Sequence, residues 1–221
     1  MPRLIVGVTG HRDIPPGQVP AIAALVNDAF GRLKEEFASE LIVLSALAEG
    51  ADRIAALCAQ DRSIPFKVPL PFTPAEYEKD FESKESIMQF RQLLAHADQV
   101  FVVSEEMIAL GPANDHLDPR LAGYRRVGKY LARCSHILLA LWDGHAGGKT
   151  GGTWEVVNEK ISAQNCLDWP ASFRNLQEEG IVLQIATPRR ENTSHIQPSL
   201  EWPSPAHRAW KTLREAIASE H

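Results

Sequence analysis

Short apolar runs rich in β-branched residues alternate with segments of helical periodicity along this chain, and that alternation restricts its possible folds. An apolar run of about four to eight residues bounded by turn signals is typical of a strand that is buried on both faces. Strands that alternate with helices predict an α/β fold, with a doubly wound, mostly parallel sheet and helices on both faces. The predicted strands are residues 3–9, 41–45, 66–71, 99–103, 136–142 and 181–186. The predicted helices are residues 19–37, 51–59, 83–97, 121–134, 153–163 and 206–219.

The rest of the chain has a coarse organisation. Pro69 and Pro71 indicate that the third strand lies at an edge of the sheet or ends early. Residues 104–119 have no periodicity and are expected to form a long surface loop. All 221 residues are expected to form a single domain. In it, the strand at 181–186 is an addition to the core, residues 187–205 form a wrapping segment, and residues 206–220 form a docked C-terminal helix.

The charge balance limits the classes of partner. The sequence has 23 Lys and Arg against 28 Asp and Glu, which gives a formal net charge of −5. A protein whose main partner is a phosphate backbone normally has an excess of basic residues, so nucleic acid is not an expected partner. A small cationic pocket is still compatible with this charge, because net charge describes the whole surface.

The sequence gives no signal for a membrane, a metal or a cofactor. No apolar run approaches the roughly 18 residues of a membrane helix, and no leader pattern is visible, so a cytoplasmic protein without a membrane partner is expected. Cys58, Cys134 and Cys166 match neither a zinc pattern nor a disulfide framework and are expected to be reduced thiols. No pair of histidines has the spacing of a metal site on one helix.

The loops that follow the strands hold the candidate binding residues, because parallel sheets bind ligands at the carboxyl ends of their strands. After the first strand, Gly10 permits a sharp turn, His11 follows it, and Arg12 offers a planar fork for a phosphate. The alternative is a tight turn in which Arg12 pairs with Asp13. The G-x-G-x-x-G fingerprint of dinucleotide sites is absent.

The loop after the second strand contains the candidates Glu49, Gly50 and Asp52. Gly50 comes just before a predicted helix, where a small residue lets a ligand approach the positive end of the helix dipole. Asp52 falls in the first helical turn. A carboxylate there either stabilises the helix start or contacts a ligand.

The loop after the fifth strand is the strongest local signal. Its glycines end in Gly151 and Gly152 before a predicted helix, and they expose N–H groups suited to a phosphate or a ribosyl phosphate. Thr153 caps that helix or donates its hydroxyl to the ligand. A Walker A interpretation fails because the motif requires Gly where this chain has Asp143, which is instead a candidate ligand contact. A glycine loop without a ligand is the alternative.

Cationic residues occur near the start of the helix that leads into the fifth strand. Arg126 and Lys129 share one face of that helix, and Arg125 and Lys129 share another. One of these side chains is expected to reach the pocket, and the others are expected to be solvated.

Taken in order, these loops resemble the SLOG superfamily of Rossmann-like domains. The turn from Val6 to Arg12 and the turn from Ser45 to Asp52 are similar to the paired turns of the DNA-processing protein DprA. The Thr-Gly-His-Arg form of the first turn, the proline-rich third strand and the later Trp-Asp-Gly and Gly-Gly-Thr sequences resemble the YspA/YpsA-like branch more closely. The resemblance covers about residues 3–165, which implies a nucleotide-binding core over residues 1–165.

The resemblance implies a domain that binds a nucleotide or a nucleotide-derived ligand, as a sensor or carrier. The phosphates are expected at Gly10, Arg12 and the segment 151–153, with Arg126 as a counter-charge. No cofactor is implied. A homodimer is expected, because SLOG-type folds often self-associate.

Two alternatives stay open. A LOG-like nucleoside 5′-monophosphate phosphoribohydrolase would use Glu155 and Arg126 as catalytic residues. In this chain Val156 occupies the position of that family's glutamate, and Glu155 comes one residue early, about 100° around the helix. The other alternative is DprA-like binding of single-stranded DNA, against which the acidic balance and the lack of a basic and aromatic stripe count.

Overall fold

The computed structural model of the chain describes residues 3–108, 118–146, 151–162, 180–190, 196–203 and 207–218. Parts of the predicted 104–119 loop, of the glycine-rich loop and of the helix predicted to end at 163 therefore lie outside the described residues, as does Cys166. The described strands are β1 (Arg3–Gly10), β2 (Glu40–Leu44), β3 (Phe66–Leu70), β4 (Gln99–Val102), β5 (Ile137–Trp142), β6 (Ile181–Ala186) and β7 (Ser199–Glu201). The described helices are α1 (Val19–Phe37), α2 (Ala51–Asp61), α3 (Pro74–Tyr77), α4 (Lys84–His96), α5 (Pro119–Arg133), α6 (Thr153–Ile161) and α7 (Arg208–Ala218). Single turns of 3₁₀ helix occur at Pro16–Gln18, Glu78–Asp80 and Glu106–Ile108.

The described strands form one sheet in the order β4-β3-β2-β1-β5-β6-β7. Neighbouring strands are parallel except β6 and β7, which are antiparallel. The chain winds in one direction from β1 to β4 and in the other from β5 onward, so the winding reverses between β1 and β5. This order confirms the predicted α/β class with a doubly wound, mostly parallel, Rossmann-like sheet.

β5 is buried along its whole length because helices cover both faces of the sheet. Its even-numbered residues, from Leu138 to Trp142, pack with Ala132 of α5 and with Val156 of α6. Its odd-numbered residues belong to the main apolar core, which includes buried residues of α1 and α2. A continuous apolar run, without alternation of polar residues, is the pattern that such a strand requires.

The position of β3 in the sheet contradicts the prediction, drawn from its prolines, of an edge strand. The strand lies between β2 and β4, so the expectation of an edge position is wrong; the edge strand is β4. The backbone carbonyls of Pro65 and Lys67 accept hydrogen bonds from the β2 side, so odd-numbered residues of β3 face β2. β2 ends at Leu44, opposite Lys67. Pro69 therefore lies beyond the end of β2, and its missing N–H costs no hydrogen bond in the ladder.

The sequence pattern does not indicate two short elements, α3 and β7. β7 lies inside the expected wrapping segment and pairs with β6, with Leu200 opposite Ile185. The C-terminal helix α7 buries Trp210, Leu213 and Ile217, the face predicted to dock on the body. The Trp210 ring lies 5.0 Å from the ring of Phe37 on α1, in an edge-to-face contact.

Two further expectations bear on the described residues. None of the helices in the described ranges is both long enough and apolar enough to span a membrane. Cys58 and Cys134 are buried and form no disulfide with each other.

Candidate functional site

A cleft of about 870 Å³ opens at the carboxyl ends of β1 and β5, where the winding of the sheet reverses. Open α/β sheets bind ligands at this position, and roughly 300–1,000 Å³ is the usual size of a small-molecule site. The predicted candidates that line the cleft are Gly10, His11, Arg12, Asp52, Asp143, Gly151, Gly152 and Thr153. The predicted candidates that are not among its described lining residues are Glu49, Gly50, Arg125, Arg126 and Glu155.

Gly10 ends β1 in a position that has no room for a side chain. An added Cβ would lie 2.4 Å from the carbonyl oxygen of Leu141 and 2.5 Å from the Cβ of Ala51. The next residue is held on both sides, because the His11 N–H donates to Leu141 and the His11 carbonyl accepts from Ala51, each at 3.0 Å. The close packing of β1 between β5 and α2 therefore fixes where His11 and Arg12 enter the cleft.

His11 connects the loop after β1 to the loop after β5. Its Nε2 accepts a hydrogen bond from the Asp143 backbone N–H at 3.0 Å, and it lies 3.3 Å from Asp143 Oδ1. Burial lowers the pKa of His11, Arg189 lowers it further, and Asp143 and Asp13 oppose the shift. An Nε2 that accepts a hydrogen bond carries no proton, so the network assigns a neutral ring with its proton on Nδ1.

Asp143 is held as a carboxylate by the groups around it. Burial alone would raise the pKa of Asp143, but the His145 N–H, which donates to Oδ1 at 3.1 Å, and the nearby His145 ring bring that pKa below its usual value. Asp143 thus fixes the loop after β5 rather than presenting an unpaired charge to the cleft.

Arg12 lines the cleft, and no acidic side chain among the described residues forms an ion pair with it. Its side chain is exposed, and its guanidinium lies over the ring of Tyr124, 5.2 Å from the centroid. The alternative that pairs Arg12 with Asp13 is wrong. Asp13 instead binds Arg189, whose Nε lies 3.1 Å from both carboxylate oxygens. Arg12 makes no hydrogen bond or ion pair to another described residue, and it is therefore available to an anion.

Asp52 lies on the floor of the cleft and is almost completely buried. Its Oδ2 accepts a hydrogen bond from the Ala48 N–H at 3.3 Å, so the side chain fixes the loop before α2. Burial raises the pKa of Asp52 to about 7, against the opposing effects of Arg12 and of the Ala48 hydrogen bond. Tyr77 is buried beside it and lines the same floor. The structural and the ligand-binding interpretation of Asp52 are thus compatible.

Glu49 and Gly50 support the cleft from outside. The Glu49 carboxylate accepts a hydrogen bond from the Ser86 hydroxyl at the start of α4. Gly50 precedes α2 with a φ of 76°, and an added Cβ would lie 2.4 Å from the His11 carbonyl oxygen. Gly50 therefore lets the loop after β1 lie directly on the start of α2, and its proximity to a ligand stays a prediction.

The start of α6 forms the opposite wall of the cleft. Gly151 has a φ of 75°, and Gly152 is the N-cap residue of the helix. Thr153 is the first helical residue and not the cap, so the capping alternative for Thr153 is wrong. The first amide groups of a helix have no carbonyl partner in a preceding turn, and the first two of α6 belong to Thr153 and Trp154, which line the cleft.

The three charged residues predicted on α5 and α6 are occupied elsewhere. The Glu155 carboxylate accepts from the Gly151 N–H at 2.6 Å and lies 2.8 Å from Arg125 Nε. Arg126 donates through Nε to the carbonyl of Val103 at 3.1 Å, at the end of β4. The structure therefore places these side chains around the cleft walls and does not bring Glu155 and Arg126 together.

Several residues that line the cleft were not among the predicted candidates. Arg189 could be found by the rule applied to the other loops, because it follows the carboxyl end of β6. Tyr77 and Tyr124 come from α3 and α5, and no local signal marks them. Trp142 and Trp154 flank the glycine-rich loop and line the cleft as well. In the described part of the chain, no group of three or more His, Cys, Asp or Glu side chains is placed to hold a metal ion.

The comparisons with known proteins give a likeness of fold. No family model matches the chain, and no curated protein sequence matches it. One matching solved structure is DprA from Streptococcus pneumoniae, at 14% identity and a TM-score of 0.46, covering 72% of this chain and 47% of that chain. Another is DprA from Helicobacter pylori, at 21% identity and a TM-score of 0.30, covering 74% of this chain and 75% of that chain. This chain thus spans about half the length of the first of these proteins.

Both of these neighbours are DprA proteins, and the SLOG-type resemblance of this chain stays a prediction. The YspA/YpsA-like branch stays a prediction. The Helicobacter pylori protein is described by its single-stranded DNA binding mode. This finding overturns the expectation, drawn from the net charge, that nucleic acid is not a partner for a chain of this kind. A net charge of −5 does not exclude it.

Proposed function

We propose that this chain binds a nucleotide or a nucleotide-derived ligand in the cleft between β1 and β5, with a phosphate between Arg12 and the start of α6. The observation that carries the proposal is that a helix N-terminus and Arg12, which forms no ion pair with another described residue, line one cleft. Tyr124 lies next to both groups. The Arg12 guanidinium lies over the face of the Tyr124 ring, and the Tyr124 Cβ is 2.8 Å from the position of a Cβ added at Gly151. Helix amide groups and a guanidinium are both suited to a phosphate.

Replacement of Arg12 by alanine is expected to weaken binding of a nucleoside monophosphate or diphosphate by about 10- to 100-fold, because a charge-assisted hydrogen bond is lost. Isothermal titration calorimetry with a panel of nucleotides measures this loss. Arg12→Lys should recover part of the affinity, since it keeps the charge and loses the fork. The matched control is Arg3→Ala, an exposed arginine at the opposite end of β1. Equal affinities of wild type and Arg12→Ala would exclude the phosphate position.

A second candidate function is binding of single-stranded DNA through the same phosphate chemistry. The observation that favours it is the exposure of Arg12 and Arg189 together at the rim of the cleft. Fluorescence anisotropy with a labelled single strand is expected to show binding that weakens as salt rises and that Arg12→Ala reduces. A matched duplex serves as the control. No anisotropy change at low salt excludes this candidate and leaves the nucleotide proposal intact.

The phosphoribohydrolase alternative has less support from the geometry. Its proposed catalytic carboxylate, Glu155, is bound to Arg125 and to the Gly151 N–H, and Arg126 is directed to the end of β4. A homodimer and a single domain with a nucleotide-binding core over residues 1–165 stay predictions.

A further inference from the structure

Two tryptophans stand at the side of the cleft where α6 begins. Trp142 is the last residue of β5, and Trp154 is the second residue of α6. Their rings are stacked, with centroids 6.0 Å apart and planes inclined by 22°. Both residues line the cleft.

The two rings differ strongly in exposure. Trp142 is only 5% exposed and belongs to the apolar cluster between β5, α5 and α6, whereas Trp154 is 37% exposed. The buried Trp142 ring stacks against the Trp154 ring and so restricts its orientation, while Trp154 keeps part of its surface in contact with solvent. An indole fixed in this way is a flat apolar platform in contact with solvent, and stacking of a planar ligand removes its surface from water.

A buried donor lies next to this platform. The Nε1–H of Trp142 is buried and has no hydrogen-bond partner among the described residues. A buried polar group without a partner is unusual in a folded protein and calls for an explanation in its surroundings. Its residue lines the cleft, so a ligand with a hydrogen-bond acceptor near the platform is a suitable partner.

The platform is adjacent to the position proposed for the phosphate. Trp154 directly follows Gly152 and Thr153, whose amide groups begin α6 and line the cleft. A flat apolar surface beside an anion-binding helix start matches a ligand that has an aromatic ring and a phosphate in one molecule. Neither inorganic phosphate nor a sugar phosphate has such a ring.

We infer that the ligand carries an aromatic base that stacks on Trp154, so that this residue distinguishes nucleotides from sugar phosphates. The inference rests on the proposed function and adds the chemical class of the ligand. Trp154 supplies the stacking surface, and Trp142 supports it from behind.

The experiment compares AMP with ribose 5-phosphate, which lacks the base, by calorimetry on wild type and on Trp154→Ala. Wild type is expected to bind AMP about tenfold more tightly, because stacking of one base on an aromatic side chain has roughly this value. Trp154→Ala is expected to lose that difference and to bind ribose 5-phosphate as wild type does. Trp154→Phe should restore most of the preference. The matched control is Ile161→Ala, an apolar side chain on α6 that is 43% exposed.

The two ligands separate a failure of this inference from a failure of the proposed function. If AMP and ribose 5-phosphate bind equally to wild type, and Arg12→Ala weakens both, the cleft binds phosphate and the stacked base is wrong. If neither ligand binds to wild type, both proposals are wrong. A short single-stranded oligonucleotide is tested as a competitor of AMP. If it displaces AMP, and if its affinity falls in Trp154→Ala as that of AMP does, the stacked base belongs to a nucleic acid strand.

Discussion

Replacement of Gly50 by alanine is expected to lower the free energy of unfolding by about 4 kcal/mol, since it combines two costs. The residue has a φ of 76° and a ψ of −120°, a conformation that costs a residue with a side chain about 1–3 kcal/mol. The added Cβ would also lie 2.4 Å from the His11 carbonyl oxygen and 2.6 Å from that of Arg12. Both atoms belong to the backbone and cannot rotate away, and overpacking of this kind costs about 1–3 kcal/mol more.

Urea unfolding measures the loss, and Gly17→Ala is the matched control. No atom lies within 4 Å of a Cβ added at Gly17, so that variant should stay within about 0.5 kcal/mol of wild type. Equal losses in the two variants would show that the contact between the β1 loop and α2 is not tight. Gly50→Ala is also expected to weaken nucleotide binding, because the displaced backbone carries His11 and Arg12.

The parallel part of the sheet could be predicted from the sequence because each of the strands β1 to β6 carries its own signal. β5 has to be apolar at every position to lie between two helical layers, and no amphipathic helix requires such a run. β3 marks the limit of this reasoning. Its prolines suggested an edge, but whether a missing N–H matters depends on how far the neighbouring strand extends. β2 ends at Leu44, and the sequence of β3 contains no information about that end.

The candidate site was predictable where backbone topology determines it. Gly10, Arg12 and Gly152 line the cleft because they follow strands that flank the reversal of winding. Side chains on the helices were not predictable in the same way. Arg125 binds Glu155, and the Val103 carbonyl accepts from Arg126, contacts that no local pattern indicates. A shift of one residue on a helix also rotates a side chain by about 100°.

The sequence does not indicate which charged groups are buried. Asp52 has the spacing of an ordinary helix-start carboxylate, and Lys160 has the spacing of an ordinary last-turn lysine. Both are almost completely buried in the folded chain. Burial depends on what the remaining elements place over a residue, so the shifted pKa values of these two groups follow from tertiary structure alone.

The free energy of unfolding is expected to rise with pH because of Lys160, by about 4 kcal/mol between pH 7 and pH 10.5. Burial lowers the pKa of Lys160 to about 7, from 10.5 in the unfolded chain. Between these values the unfolded chain binds the additional proton, so stability is lost as pH falls toward 7 and is regained as pH rises. About 2 kcal/mol of the gain falls between pH 7 and pH 9. The interval from pH 7 to pH 9 shows the effect of Lys160 most clearly. Burial raises the pKa of Cys58 to about 11, so above pH 9 the Cys58 thiol makes the free energy of unfolding fall as pH rises.

Lys160→Met tests this origin, because methionine keeps the length of the side chain and has no amine. Its urea unfolding free energy should lose the rise between pH 7 and pH 9. At pH 7 two effects oppose each other: the penalty of a buried charge disappears, and the carbonyls of Ala132 and Ser135 lose the donor that Lys160 provides. The slope is therefore the diagnostic quantity. The matched control is Lys34→Met, at an exposed position of α1, and this variant should keep the wild-type slope. If Lys160→Met also keeps the wild-type slope, Lys160 is not the source of the pH dependence.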